Sequence, residues 1–211
     1  MPVRMLAKTQ QEWVTETDDQ AQILSRTYNT PVETGKTLDS EQGKTVLPVE
    51  FLGTCGLVSC VNILRLAGRT ETTEEEVVSF ALQFSLCHAS LEPESNGGTN
   101  FVQRQSILQC FGLESDLVPP SIEAIAQYVS EGRGVIISVD AGMLWQNPRF
   151  LNGLHAIVVT SVKLDAEGRL MGFYICDSGS GNDDSARYCD AEFLANALSR
   201  QYMNVTRAII R

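Results

Sequence analysis

Gly53-Thr54-Cys55-Gly56-Leu57-Val58-Ser59-Cys60-Val61-Asn62-Ile63-Leu64-Arg65-Leu66-Ala67-Gly68 sets a thiol directly ahead of an apolar, helix-patterned run. Gly68 is the usual kind of residue just past a helix C-terminus, so the run predicts a buried helix from Cys55 to Ala67. The first N–H groups of a helix have no internal partner and, with the macrodipole, favour an anion at that end. A thiol held there ionises more readily, which makes Cys55 the candidate nucleophile. Gly56 lets a substrate carbonyl approach it, having no Cβ. Cys60 lies five residues on, about 140° around a helix turning about 100° per residue, so the two thiols cannot face one cleft. Between Val58 and Val61, Cys60 reads as core.

A nucleophilic thiol needs a base, and the chain has 2 histidines. His88, in Leu86-Cys87-His88-Ala89-Ser90, reads as a cap on a helix end. His155 leads the strand-like run His155-Ala156-Ile157-Val158-Val159, where an imidazole can project from a sheet into a cleft. Asp177 closes a second strand-like run, Phe173-Tyr174-Ile175-Cys176-Asp177. An acid beside the neighbouring strand's histidine would hold its tautomer and stabilise the imidazolium. The rival reading of Asp177 through Asp184 as a calcium loop fails. The sixth and twelfth places of an EF-hand loop require Gly and Glu, and they hold Asn182 and Tyr188.

Composition narrows the remaining classes. At 211 residues and 43% hydrophobic the chain can bury a core without staples, and its short Val, Ile, Leu and Ala runs predict mixed helix and sheet. The 16 basic and 26 acidic residues give a formal charge of −10, which repels phosphate backbones and anionic lipid, so neither nucleic acid nor membrane is expected as a partner. No apolar stretch approaches the roughly 20 residues that cross a bilayer, and no signal core follows Met1-Pro2-Val3-Arg4. The 6 cysteines, none in a Cys-x-x-Cys pair, read as free and mostly buried thiols of a reducing, cytoplasmic site of action. Zinc spacing, a phosphate-binding Gly-rich loop and a Gly-x-Ser-x-Gly elbow are all missing, so no metal or cofactor is expected.

Residues 1–47 read as a polar arm or linker and 48–211 as one domain. Thr72-Thr73-Glu74-Glu75-Glu76 opens a second helix that should end near Cys87. Phe101 to Phe111, closed by Gly112, is a third, and Ser121 starts a fourth that runs to Gly132. Gly134–Asp140, Ala156–Val162 and Leu170–Cys176 are strands, the latter two joined as a hairpin by Asp165-Ala166-Glu167-Gly168. A short helix at Asp190–Leu194 and a strand over Asn204–Ile210 close the chain.

Over residues 48–195 the sequence resembles the papain-like cysteine peptidases, in particular the bacteriocin-processing (double-glycine) branch. The pieces are Gly53-Thr54-Cys55-Gly56 with its helix, Gly97-Gly98-Thr99 before a helix ending Phe111-Gly112-Leu113, Val135 to Val139, His155 to Val159, and Cys176-Asp177-Ser178-Gly179-Ser180-Gly181. The resemblance implies an α+β fold whose N-terminal helical part packs the nucleophile helix on a C-terminal antiparallel sheet. It also implies a Cys55, His155 and Asp177 triad acting on a peptide or protein substrate.

The family's oxyanion-binding Gln, six residues before the nucleophile, is replaced: Val49 and Glu50 stand there, and an ionised Glu cannot donate a hydrogen bond. Another group, Gln42 or Asn62, would have to serve, or hydrolysis would be weakened by about 10²–10³. The arm and free-standing domain look similar to papain-like toxin or effector domains of bacterial polymorphic and contact-dependent inhibition systems. Those are delivered as parts of secreted proteins and met by an immunity or inhibitor protein. The same triad would also suit a deamidase or acyltransferase, and loss of the Gln would suit a degraded scaffold kept for binding.

Overall fold

Hydroxyl, amide and carboxylate side chains set where most of the helices begin. In this computed structural model, which describes residues 53–89, 96–179 and 187–211, helix α1 spans Cys55–Leu66 and α2 spans Glu74–Gln83, opened by the Thr73 hydroxyl accepting the Glu76 N–H. Helix α3, Phe101–Cys110, starts from a reciprocal capping box between Asn100 and Gln103. After strand β1, Ser115–Val118, the Ser121 hydroxyl caps α4, Ile122–Ser130. Strand β2, Arg133–Asp140, leads into the short α5, Ala141–Leu144, capped by Asp140. A 3₁₀ turn at Pro148–Phe150 precedes β3, Leu154–Leu164, and β4, Leu170–Cys176. The chain closes with β5, Arg187–Asp190, α6, Ala191–Ala197, and β6, Met203–Ile209.

The strands form one antiparallel sheet in the order β1-β6-β2-β3-β4-β5. Alternation along each strand divides the core in two. Ile136, Ala156, Val158 and Cys176 meet Leu57, Val61 and Leu64 of α1, with α2 and α3 packed behind. On the opposite face Val135, Ile137, Ile157, Val159 and Phe173 meet Ile125 of α4 and Leu194 of α6. Each fully buried Val, Leu, Ile or Phe stabilises the fold by about 1.5–3 kcal/mol, so neither helical layer is an ornament. The expected helix-on-sheet arrangement is present, and the second face adds a third layer.

The hairpin of β3 and β4 turns through Gly168 at φ 79°, where a Cβ would be strained. Strands β1 and β5 were not expected. Both are short edge strands carrying charge, Asp116 in one and Arg187 and Asp190 in the other, and that pattern hides a strand from a search for apolar runs. Two expectations are corrected. His88 does not cap α2, which ends at Gln83; its backbone exchanges hydrogen bonds with Gly97 and Gly98 at 2.8 and 2.7 Å. Cys110 is exposed, because the C-terminal end of α3 turns it to solvent, whereas Cys60, Cys87, Cys176 and Cys189 are buried. None of the six cysteines forms a disulfide. The expected arm over residues 1–47, with Gln42, Val49 and Glu50, lies outside the described residues, as do 90–95 and 180–186.

No helix among the described residues is long and apolar enough to cross a membrane. Among the same residues no cluster of His, Cys, Asp or Glu could hold a metal ion.

Candidate active site

Cys55 is the first residue of α1 and half-buried. Thr54 ahead of it makes no side-chain cap, because its hydroxyl donates to a carboxylate oxygen of Glu74 in α2. Burial holds the Glu74 carboxyl above the usual carboxylate range, partly offset by that hydroxyl. The start of α1 is therefore tied to α2, and among the described residues no side-chain cap bonds its N-terminal N–H groups.

Gly56 has a different purpose from the one expected. A Cβ there would stand 1.9 Å from Thr99 Oγ1 and 3.4 Å from Arg104 Cδ, so glycine admits the Gly97-Gly98-Thr99 segment and α3 against the helix start. The room it provides is occupied by the protein itself.

His155, second in β3 and paired with Val139 of β2, is 4% exposed. Its Nε2 lies 2.7 Å from Asp177 Oδ1, which leaves Nδ1 for the Cys55 sulfur, and the ring and the sulfur are hydrogen-bonded. The backbone N–H of Ala156 also donates to that sulfur. The structure thus brings together all three residues singled out from the sequence.

Two side chains that sequence reading missed also hold the acid. Asp177 Oδ2 accepts the Trp145 indole N–H at 2.9 Å and pairs with the Arg187 guanidinium, while Oδ1 accepts the Gly179 N–H at 2.9 Å. The Trp145 ring also lies 4.9 Å from the imidazole, centroid to centroid. Gly179 must be glycine, since a Cβ would fall 2.4 Å from Trp145 and 3.1 Å from His155. Trp145 sits in Leu144-Trp145-Gln146-Asn147-Pro148, which carries no motif, so nothing local announces it. The one available signal for Arg187 is a charge in an otherwise strand-like tetrapeptide.

Charges in this buried row shift one another. Burial opposes ionisation of Cys55, but the His155 charge and hydrogen bond, the Ala156 N–H and the Arg104 charge outweigh it and bring the thiol below 9.0. Burial disfavours the imidazolium, yet Asp177 and the thiolate raise His155 to about 10. Asp177, opposed by burial and favoured by His155 and Arg187, falls well below the usual carboxylate range. By contrast, burial pushes Cys60 and Cys189 up to about 12 and Cys87 to about 11, so these thiols stay protonated.

By linkage, His155 adds stability fully present below its unfolded pKa of about 6.5 and lost as pH rises through about 10. Asp177 adds stability present above about 3.9 and lost as pH falls through its lower folded value. Reactivity should report the same pair. Alkylation of Cys55 by iodoacetamide, followed by mass at that residue across pH, is expected to rise with one inflection below 9.0 and a second near 10 as His155 loses its proton. A single inflection at or above 9.0 would count against a thiolate–imidazolium pair.

A cleft of about 370 Å³ opens beside these groups, with Cys55, Thr99, Arg104, Ser138, His155 and Gln201 among its walls. Asn62, considered from the sequence as a replacement oxyanion donor, is not one of them. It is buried in α1 and its amide donates to Cys176 Sγ at 3.2 Å.

No protein-family model matches the chain, and no curated protein matches it. Among solved structures, a Bacillus anthracis protein described as a C39-like peptidase is similar at a TM-score of 0.53 and 12% identity, over 85% of this chain and 97% of that one. A double glycine motif protease from an AMS/PCAT transporter, solved in complex with the leader peptide, gives 0.49 at 14% identity, over 88% and 97%. With its helices packed on an antiparallel sheet, the chain has the papain-like α+β fold, similar to that of the Bacillus anthracis structure.

Proposed function

We propose that the protein is a cysteine peptidase that hydrolyses peptide bonds with Cys55 as nucleophile, His155 as acid and base, and Asp177 as the orienting carboxylate. The Cys55 thiolate attacks the scissile carbonyl and forms the carbon–sulfur bond of a thioester. His155 gives its proton to the departing amine, then takes one from the water that hydrolyses the thioester and returns the sulfur to its starting state. The uncapped N–H groups at the start of α1 are suited to the oxyanion of the tetrahedral intermediate. The observation that carries this reading is the hydrogen-bonded row from Cys55 through His155 to Asp177, with Cys55 and His155 on the wall of a cleft.

The test is digestion of a proteome-derived peptide library with new termini read by mass spectrometry. Cleavage that disappears after iodoacetamide treatment supports the reading. Intact peptides in the presence of a reactive Cys55 would overturn it, and a mass change without a cut would point to the deamidase or acyltransferase use of the same groups.

A further inference from the structure

Arg104 is an arginine only 2% exposed, yet no carboxylate pairs with it among the described residues. It rises from α3 past Gly56, where its Cδ would lie 3.4 Å from an added Cβ, and its head crosses to the sheet. There Nε donates to Asn204 Oδ1 of β6 and one terminal nitrogen donates to Ser138 Oγ of β2, both at 3.0 Å. Asn204 is itself fixed, its amide donating to the Phe101 carbonyl at 2.8 Å. A guanidinium has five N–H donors, so these two neutral acceptors leave most of its hydrogen-bonding capacity unused.

Among the described residues no anion is bonded to it, although the Cys55 thiolate feels its charge. Asp177 is matched by Arg187 and the Cys55 thiolate by His155, while Cys60, whose thiol burial pushes up to about 12, stays neutral. Among the described residues the cleft has no acidic side chain in its walls, although the chain carries 26 acids against 16 bases. On the same wall Thr99 Oγ1 is buried without a hydrogen-bond partner among the described residues. A buried charge without a counter-ion is costly unless a ligand supplies one.

We propose that Arg104, with Ser138 and Thr99, forms a carboxylate-accepting subsite next to Cys55, so that the peptide this cleft takes carries an Asp or Glu side chain, or a chain-terminal carboxylate, within about two residues of the bond cut. The subsite rests on the peptidase reading and gives it a substrate class. Guanidinium and carboxylate match as a planar, two-bond pair, which a neutral amide at the same place cannot reproduce. Filling the cleft removes water from both partners, and a charge-assisted hydrogen bond of about 1.5–3 kcal/mol corresponds to about a 10- to 100-fold preference.

The test needs no known substrate and no turnover. Peptidyl fluoromethyl ketones with glycine at the warhead, and Glu or Gln at each of the two preceding positions, are compared for their rate of labelling Cys55. Acetylated tripeptides ending in a free acid or an amide are compared as protectants against the same labelling, which separates a side-chain from a terminal carboxylate. The expected result is labelling about tenfold or more faster with Glu at one position, or selective protection by the free acid. Arg104→Gln should abolish that preference and Arg104→Lys should retain part of it. Equal behaviour of acid and amide in the wild-type protein overturns the subsite even if the variants fold poorly, as does a preference that persists in Arg104→Gln. Failure of Cys55 to react with any of the probes, or with iodoacetamide, overturns the peptidase reading itself, and the subsite with it.

Discussion

Cys55→Ala is expected to lower peptide hydrolysis by at least about 10⁴-fold while leaving thermal unfolding nearly unchanged, because it removes the atom that forms the thioester and little of the packing. The sulfur is half-buried at the start of α1, and the core contacts of that helix come from Leu57, Cys60, Val61, Ile63 and Leu64. The same change deletes one negative partner of His155 and leaves Asp177, so the imidazole should give up its proton at lower pH than in the parent protein. Cleavage of the peptide library and an NMR titration of the His155 ring would be followed together. Persistent hydrolysis in the variant would assign the nucleophile elsewhere, and Cys60, Cys87 and Cys189 are poor candidates since burial keeps their thiols protonated.

Asp177→Asn keeps the shape of the side chain and removes its charge. Three consequences follow from the partners of that carboxylate. His155 loses the acceptor that fixes its tautomer, and a misplaced or wrongly protonated imidazole lowers kcat by about 10²–10⁴-fold. The inflection near 10 should move toward the ordinary histidine value of about 6.5, since Asp177 is the first of the influences that raise it against burial. Arg187 loses one charged partner in a buried setting, which should lower stability. Kinetics, the alkylation profile and thermal denaturation read these separately. Unchanged kcat with a lowered melting temperature would make Asp177 a purely structural partner of Arg187.

What the sequence made legible was local. The Cys55 helix and its Gly68 stop, the capped helices at Thr73 and Ser121, and the β3 and β4 hairpin all declare themselves through periodicity or turn chemistry within a dozen residues. The meeting of Cys55, His155 and Asp177 was inferred from their order and from the company each keeps. What stayed hidden depends on distant partners. Trp145 and Arg187 matter because of where β4 ends, and Arg104 because of residues on β2 and β6, one of them 100 positions away. Arg104 stands in the fourth place of a helix of mixed polarity, where nothing distinguishes a buried guanidinium from a solvated one. The purpose of Gly56 was misread for the same reason, since its neighbour Thr99 lies 43 residues further along the chain and only folding brings the two together.

Sulfur and imidazole belong to different layers, one carried by the helices above the sheet and the other by the sheet itself, and the layers are joined by a shared apolar core and by polar ties such as Asn62 to Cys176 and Arg104 to Ser138. A denaturant that loosens the upper layer would separate the reacting pair before it dissolves the strands. Inactivation is then expected to precede loss of β-structure on a urea axis.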